Sequence, residues 1–115
     1  MALKTKRVQE PAAKSDGLRM LVDRLWPRGI SKERARVDEW NKVLPPSNTL
    51  RTSYHSGQLN FRTFSAAYRM ELSTHPDELD RLRNLAKQGT VTLLYASANT
   101  TENHVLVLEQ VLKGH

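Results

Sequence analysis

The chain has 115 residues, 38% hydrophobic and 26% charged, with a formal net charge of +6. That is enough for one domain with one core, spanning 1–115, and the charge leans toward nucleic acid, nucleotides or phosphorylated metabolites. The absence of cysteine excludes a disulfide framework, a thiolate nucleophile and a thiolate metal site.

Leu3 to Val8 reads as a short polar strand at or near a sheet edge, because its apolar alternation is weak. Residues 10–17 contain Pro11, Ser15, Asp16 and Gly17, a turn composition. Leu18 to Asp23 is a stronger strand, whose continuous Met20-Leu21-Val22 run suits a sheet covered on both faces. Ser31 is an N-cap for a short helix over roughly 32–36, with Glu33 in its first turn. Residues 37–44 fit helix or strand, and Trp40, Val43 and Leu44 allow helical packing. Pro45-Pro46 ends that segment, Ser47 caps a short helix toward Tyr54, and 55–58 form a turn. Phe61, Phe64, Tyr68 and Leu72 make an aromatic stripe on one helix face, a core pattern rather than a ligand box. Pro76 opens a further helix with Leu79, Leu82, Leu85 and Ala86 on its buried side and Gly89 at its end. Thr90 to Ala96 is the best strand and reads as central, and a polar loop then leads into a final helix over about 101–113. The alternation predicts an α/β domain with a mostly parallel sheet of three to four strands and helices packed on it.

One stretch stands out: Leu21-Val-Asp-Arg-Leu-Trp-Pro-Arg-Gly-Ile30. Pro27 holds Trp26 extended and Gly29 permits a turn, so Asp23, Arg24, Trp26 and Arg28 should decorate a stiff loop at a strand end. From Arg19 to Arg36, six basic residues stand against Asp23 and Glu33, mostly arginines suited to bidentate contact with phosphate or carboxylate. A solvated basic surface would give the same composition. Parallel sheets bind ligands outside the carboxyl ends of their strands. The loops after Asp23 and after Ala96 qualify best, and if their strands are parallel neighbours, Arg24, Trp26 and Arg28 face Ser97, Asn99, Glu102, Asn103 and His104 across a cleft. Glu102 is expected in the first turn of the last helix, either complementing the dipole or acting as a base. Asp23, Glu102 and His104 are the candidate proton carriers.

Metal-ligand spacing is missing, as are the Gly-x-Ser-x-Gly elbow, the Walker loop and the Gly-x-Gly-x-x-Gly turn; no metal and no cofactor is expected. No apolar run approaches the ~20 residues that cross a bilayer, so no membrane association is expected. The opening Met-Ala-Leu-Lys-Thr-Lys has no signal-peptide core, and the expected compartment is the cytoplasm.

Val22-Asp-Arg-Leu-Trp-Pro-Arg-Gly-Ile-Ser-Lys-Glu33 resembles the family called Domain of Unknown Function 488, in its YeaO-like branch. So do Asp38-Glu-Trp40, Pro46-Ser47, Leu50-Arg51, Phe64, Tyr68, Glu71-Leu72, Val91 to Ala96 and Asn103-His104. The resemblance covers nearly the whole chain and implies a small cytoplasmic bacterial α/β protein without implying a reaction. Related branches resemble one another in a Cys-His-Arg run where this chain has Asn103-His104-Val105, which singles out His104 and removes thiol chemistry. Asn99 stands where an acidic residue is typical, and Ser53 where an aromatic is typical, which would widen a pocket near Tyr54.

The leading expectation is a small enzyme acting on a nucleotide, a nucleic-acid base or another phosphorylated compound. Arg24, Trp26, Arg28, Arg51, Ser97, Asn99 and Asn103 would bind the substrate, and Asp23, Glu102 and His104 would move protons. The alternative is a non-catalytic module that binds nucleic acid or protein through residues 19–36. A purely structural Arg–carboxylate network with Trp26 as a core plug would look the same in sequence. A monomer or a homodimer is compatible with each.

Overall fold

A computed structural model describes residues 1–115. Four stretches become strands: β1 (Leu3–Arg7), β2 (Leu18–Leu21), β3 (Glu39–Trp40) and β4 (Val91–Tyr95). They form one sheet in the order β1-β4-β2-β3, with every pairing parallel. The β-branched and apolar β4 lies between two neighbours and all its residues are buried, whereas the polar β1 is an edge. Gly17 leads into β2 at φ 62°, and a Cβ there would stand 2.2 Å from the Thr90 carbonyl oxygen, so only glycine fits that approach.

The helices are α1 (Lys32–Ala35), α2 (Asn48–His55), α3 (Phe61–Leu72), α4 (Pro76–Gln88) and α5 (His104–Leu112). Ser31, Ser47, Asn60 and Asn103 each accept the backbone N–H three residues on, satisfying a donor the helix leaves open. Ser47 Oγ also donates to Glu71 Oε2 at 2.6 Å, fixing α2 to α3. The short helix expected over 32–36 is the single turn of α1, with Arg36 left-handed at its C-cap (φ 48°). The ambiguous 37–44 segment contains the edge strand β3 and no helix. Its turn is built by Asn41, which accepts from the N–H groups of Val43 and Leu44 and donates to Glu78.

Alternation along β2 and β4 sorts the two faces of the sheet. Met20, Val22, Leu93 and Tyr95 join Phe64, Tyr68, Leu72, Leu82, Val105 and Leu108 in the main core. The other face is thinner: Val8, Leu21, Ala35 and Leu94 are covered by Trp26, Ile30 and Val37 from the loops and Trp40 from β3. Part of that thin face is polar. Arg19 and Asp16 are each 4% exposed and pair at 2.5 Å, and Arg19 also donates to the carbonyls of Ala35 and Arg36.

Candidate functional site

Because β2 and β4 are parallel neighbours, the chain leaves both at the same end of the sheet. The ladder continues past the strands: Val22 N–H donates to Leu94 O at 3.0 Å. The next donor, Ala96 N–H, finds no backbone acceptor there because β2 turns away, and Asp23 Oδ2 takes it at 2.9 Å. The carboxylate thus bridges the point where the strands part.

His104, the first residue of α5, closes the same gap from the helical side. Its Nε2 lies 2.5 Å from Val22 O and 3.2 Å from Asp23 Oδ1. Both neighbours are acceptors, so Nε2 carries a proton, and the shorter contact directs it to the carbonyl. The ring meets Tyr68 edge-on at 6.2 Å. Tyr68 is fully buried and donates to Leu44 O at 2.7 Å. Burial foremost, then the Glu71 charge, pushes its phenol far above the ordinary range, so it stays a donor.

A cavity of about 300 Å³ opens beside this junction. One wall is Asp23, Arg24 and Leu25; the second is Ala96, Ser97, Glu102, Asn103 and His104. Pro46, Arg51, Tyr54, His55 and Phe64 complete it. Tyr54 stacks on Phe64 with centroids 4.4 Å apart, and burial first, then Glu102, raises its phenol above the usual value. Arg7 Nε donates to Ser97 O and Gln9 Nε2 to Ala96 O, so the end of β1 fixes the second wall. Arg24 is tied down by its own bonds, Nε to Pro46 O at 2.9 Å and Nη2 to Pro45 O at 3.0 Å. It also lines a smaller hollow of about 220 Å³ with Ser47, Glu71 and His75.

The two loops expected to meet do share this cavity, but only in part. Asp23, Arg24, Arg51, Ser97, Glu102, Asn103 and His104 line it, whereas Trp26, Arg28 and Asn99 do not. Trp26 packs edge-on against Trp40 with centroids 5.5 Å apart and donates to Ile30 O, so it plugs the thin face beneath the loop. Arg28 is exposed, past the turn made by the buried Pro27. Asn99 shapes its own loop, its Oδ1 accepting from Thr101 and Glu102 N–H groups. Glu102 precedes the N-cap Asn103 and is therefore outside the helix whose first turn it was expected to occupy. The basic stretch is also divided: Arg19 is buried, Arg24 faces the proline carbonyls, and Arg28, Lys32, Arg34 and Arg36 are exposed.

Pro46, His55 and Phe64 complete a wall that the sequence did not assign to a site. The Pro-Pro-Ser entry into α2 was the available signal for Pro46. Phe64 was legible only as part of the core stripe, and Tyr54 only as lying near the pocket that Ser53 would widen. No group of three or more His, Asp or Glu side chains is positioned to hold a metal ion, and no helix is long and apolar enough to cross a membrane.

A family model described as "Inactive DUF488-N3 subclade" matches residues 2–115. The chain is 48% identical over 114 residues to Uncharacterized protein YeaO of Escherichia coli (strain K12), covering 99% of each chain. It is 38% identical over 112 residues to Uncharacterized protein Rv3073c of Mycobacterium tuberculosis (strain ATCC 25618 / H37Rv), covering 97% of this chain and 94% of that one. Uncharacterized protein Mb3100c of Mycobacterium bovis (strain ATCC BAA-935 / AF2122/97) is similar to the same degree. No solved structure matches. By a match over almost its full length, the chain belongs to the Domain of Unknown Function 488 family.

Proposed function

We propose that this protein binds a small anionic, nucleotide-sized ligand in the cavity at the β2–β4 carboxyl ends, without transforming it. The observation that carries this reading is the state of the two best proton carriers. Asp23 Oδ2 is committed to Ala96 N–H and His104 Nε2 to Val22 O, so both side chains hold the junction together. A group engaged with backbone in this way is poorly placed to exchange protons with a ligand. The guanidinium of Arg51 and the ring of Tyr54 remain available on the wall for an anion and a base. The description of the matching family model as inactive supports the same reading. Parallel sheets with a cleft at their carboxyl ends commonly hold such ligands.

The enzyme reading retains one observation in its favour: Asp23 Oδ1 is 3.2 Å from the imidazole on the cavity wall. One experiment separates the two. The protein is titrated with nucleoside monophosphates by calorimetry, and the recovered ligand is inspected by NMR after prolonged incubation. The binding reading expects saturable heat and unchanged ligand. Conversion of the ligand that His104→Ala abolishes would favour the enzyme, and no heat with any nucleotide would refute both.

A further inference from the structure

Two buried side-chain atoms in the protein have no hydrogen-bond partner: Arg51 Nε, and Asp23 Oδ1, which lies 3.2 Å from His104 Nε2 while that nitrogen is bonded to Val22 O. Both side chains line the same cavity. One atom is an acceptor on an acid and the other a donor on a base. Native proteins leave few such atoms, because an unsatisfied buried group opposes folding. Two of opposite character in one cavity mark the polarity of what completes it.

The bonding around each atom narrows the choice. Oδ2 anchors the Asp23 carboxylate to Ala96 N–H, which leaves Oδ1 as its spare acceptor. The nearby imidazole proton is directed to Val22 O. Arg51 makes a single long bond, Nη2 to Asn48 Oδ1 at 3.4 Å, so most of its donors are uncommitted. Asp23 and Glu102 balance Arg24 and Arg51 around the cavity, which disfavours a ligand that is only an anion.

We propose that the ligand is a nucleoside monophosphate whose base carries an exocyclic amino group. The amino N–H donates to Asp23 Oδ1 and the phosphate accepts from Arg51. This assignment rests on the binding reading above and adds its polarity. About 300 Å³ sits at the lower end of small-molecule pockets, room for one base with its sugar and phosphate. The stacked Tyr54 and Phe64 rings supply an apolar surface for the base. Neither unpaired atom exposes as much as 1 Å² to solvent, so binding includes a swing of Arg51 toward the cavity and a pivot of the Asp23 carboxylate about its Oδ2 bond to Ala96 N–H.

The test uses two matched ligand pairs on the full chain: cytidine against uridine monophosphate, and adenosine against inosine monophosphate. Within each pair an amino donor is replaced by a carbonyl acceptor. In the pair that fits, the amino member should bind about tenfold tighter or more, as expected for a donor meeting a charged acceptor rather than an acceptor opposing it. Asp23→Asn keeps an acceptor for Ala96 N–H and offers an N–H₂ donor to the ligand, so the preference should reverse toward the carbonyl member. Arg51→Gln should weaken both members by the same factor and leave their ratio unchanged. Equal affinity within both pairs overturns this inference while leaving the binding reading intact. No binding by any of the four overturns both. The wild-type comparison decides alone should Asp23→Asn fail to fold, which circular dichroism reports.

Discussion

An aspartate lies near each end of β2, Asp16 buried and Asp23 half-buried, and the two are used differently. Asp16, before the strand, accepts from Ala13 N–H, Lys6 and Arg19, and its own carbonyl accepts from Thr92. Arg19 also donates to Ala35 O and Arg36 O. No buried side-chain nitrogen or oxygen in that cluster lacks a partner. Asp23, beyond the strand, uses one oxygen for Ala96 N–H and keeps the other unpaired beside a cavity. Saturated bonding makes the first a fastening for the thin face of the sheet. Spare bonding capacity, next to accessible volume, is what makes the second a place for a ligand.

The contrast can be broken most forcefully through arginine. Arg19→Met leaves a buried carboxylate short of its closest charged partner, and the expected loss is about 3–5 kcal/mol, read by urea denaturation at neutral pH. A loss under 1 kcal/mol would show that the pair behaves like a surface salt bridge. A second effect comes from acid. Burial pushes the Asp16 carboxyl up, but the Ala13 N–H, Lys6 and Arg19 outweigh it and hold it below the ordinary 3.8. A carboxyl depressed in the folded state contributes stability above its unfolded pKa, and loses it as pH falls through the folded value. Stability measured from pH 6 down to pH 2 should therefore contain a component that disappears in Asp16→Asn. An identical pH profile in the two proteins would contradict this.

A smaller effect is expected at Tyr68, which joins the site to the core. Tyr68→Phe removes the donor to the buried Leu44 O, with an expected cost of about 1–2 kcal/mol and no change in cavity shape. A gain in thermal stability would mean that the hydroxyl is strained rather than satisfied. The smallest stability effect belongs to Arg51. Arg51→Gln should stay within about 0.5 kcal/mol of the parent in denaturant, because its only bond is long and exposed. Loss of a guanidinium thus costs much at Arg19 and little at Arg51, where it should instead weaken ligand binding.

How much of this was legible depends on how local the cause is. β4 and the faces of α3 and α4 follow from the patterns of Val91–Tyr95, Phe61–Leu72 and Pro76–Gln88, and they formed as expected. A mostly parallel sheet follows from the strand–helix alternation, whereas the β2–β4 adjacency that brings Asp23 beside Ala96 is a condition the sequence leaves open and the structure meets. Charge was misleading. Arg19 read as part of a basic surface, yet its partners include Arg36 O, seventeen residues away, a contact no local pattern encodes. Trp26 read as a ligand wall because it neighbours Arg24, but Trp40 on the edge strand draws it to the opposite face. Arg24 is neutralised as an anion hook by the carbonyls of Pro45 and Pro46, a partnership visible only once the 45–46 turn is folded against it. The unpaired atoms of Asp23 and Arg51 belong to the same class of information, since satisfaction is a property of the whole neighbourhood.

The most direct examination of the cavity as a ligand site is an amide NMR titration with cytidine monophosphate and adenosine monophosphate. Saturable shifts are expected at Ala96, Ser97, Asn103 and His104, which line the cavity, with little change at Asp16 and Arg19 in the saturated cluster. Shifts confined to the exposed residues around Arg28 and Arg34, or none with either nucleotide, would contradict it.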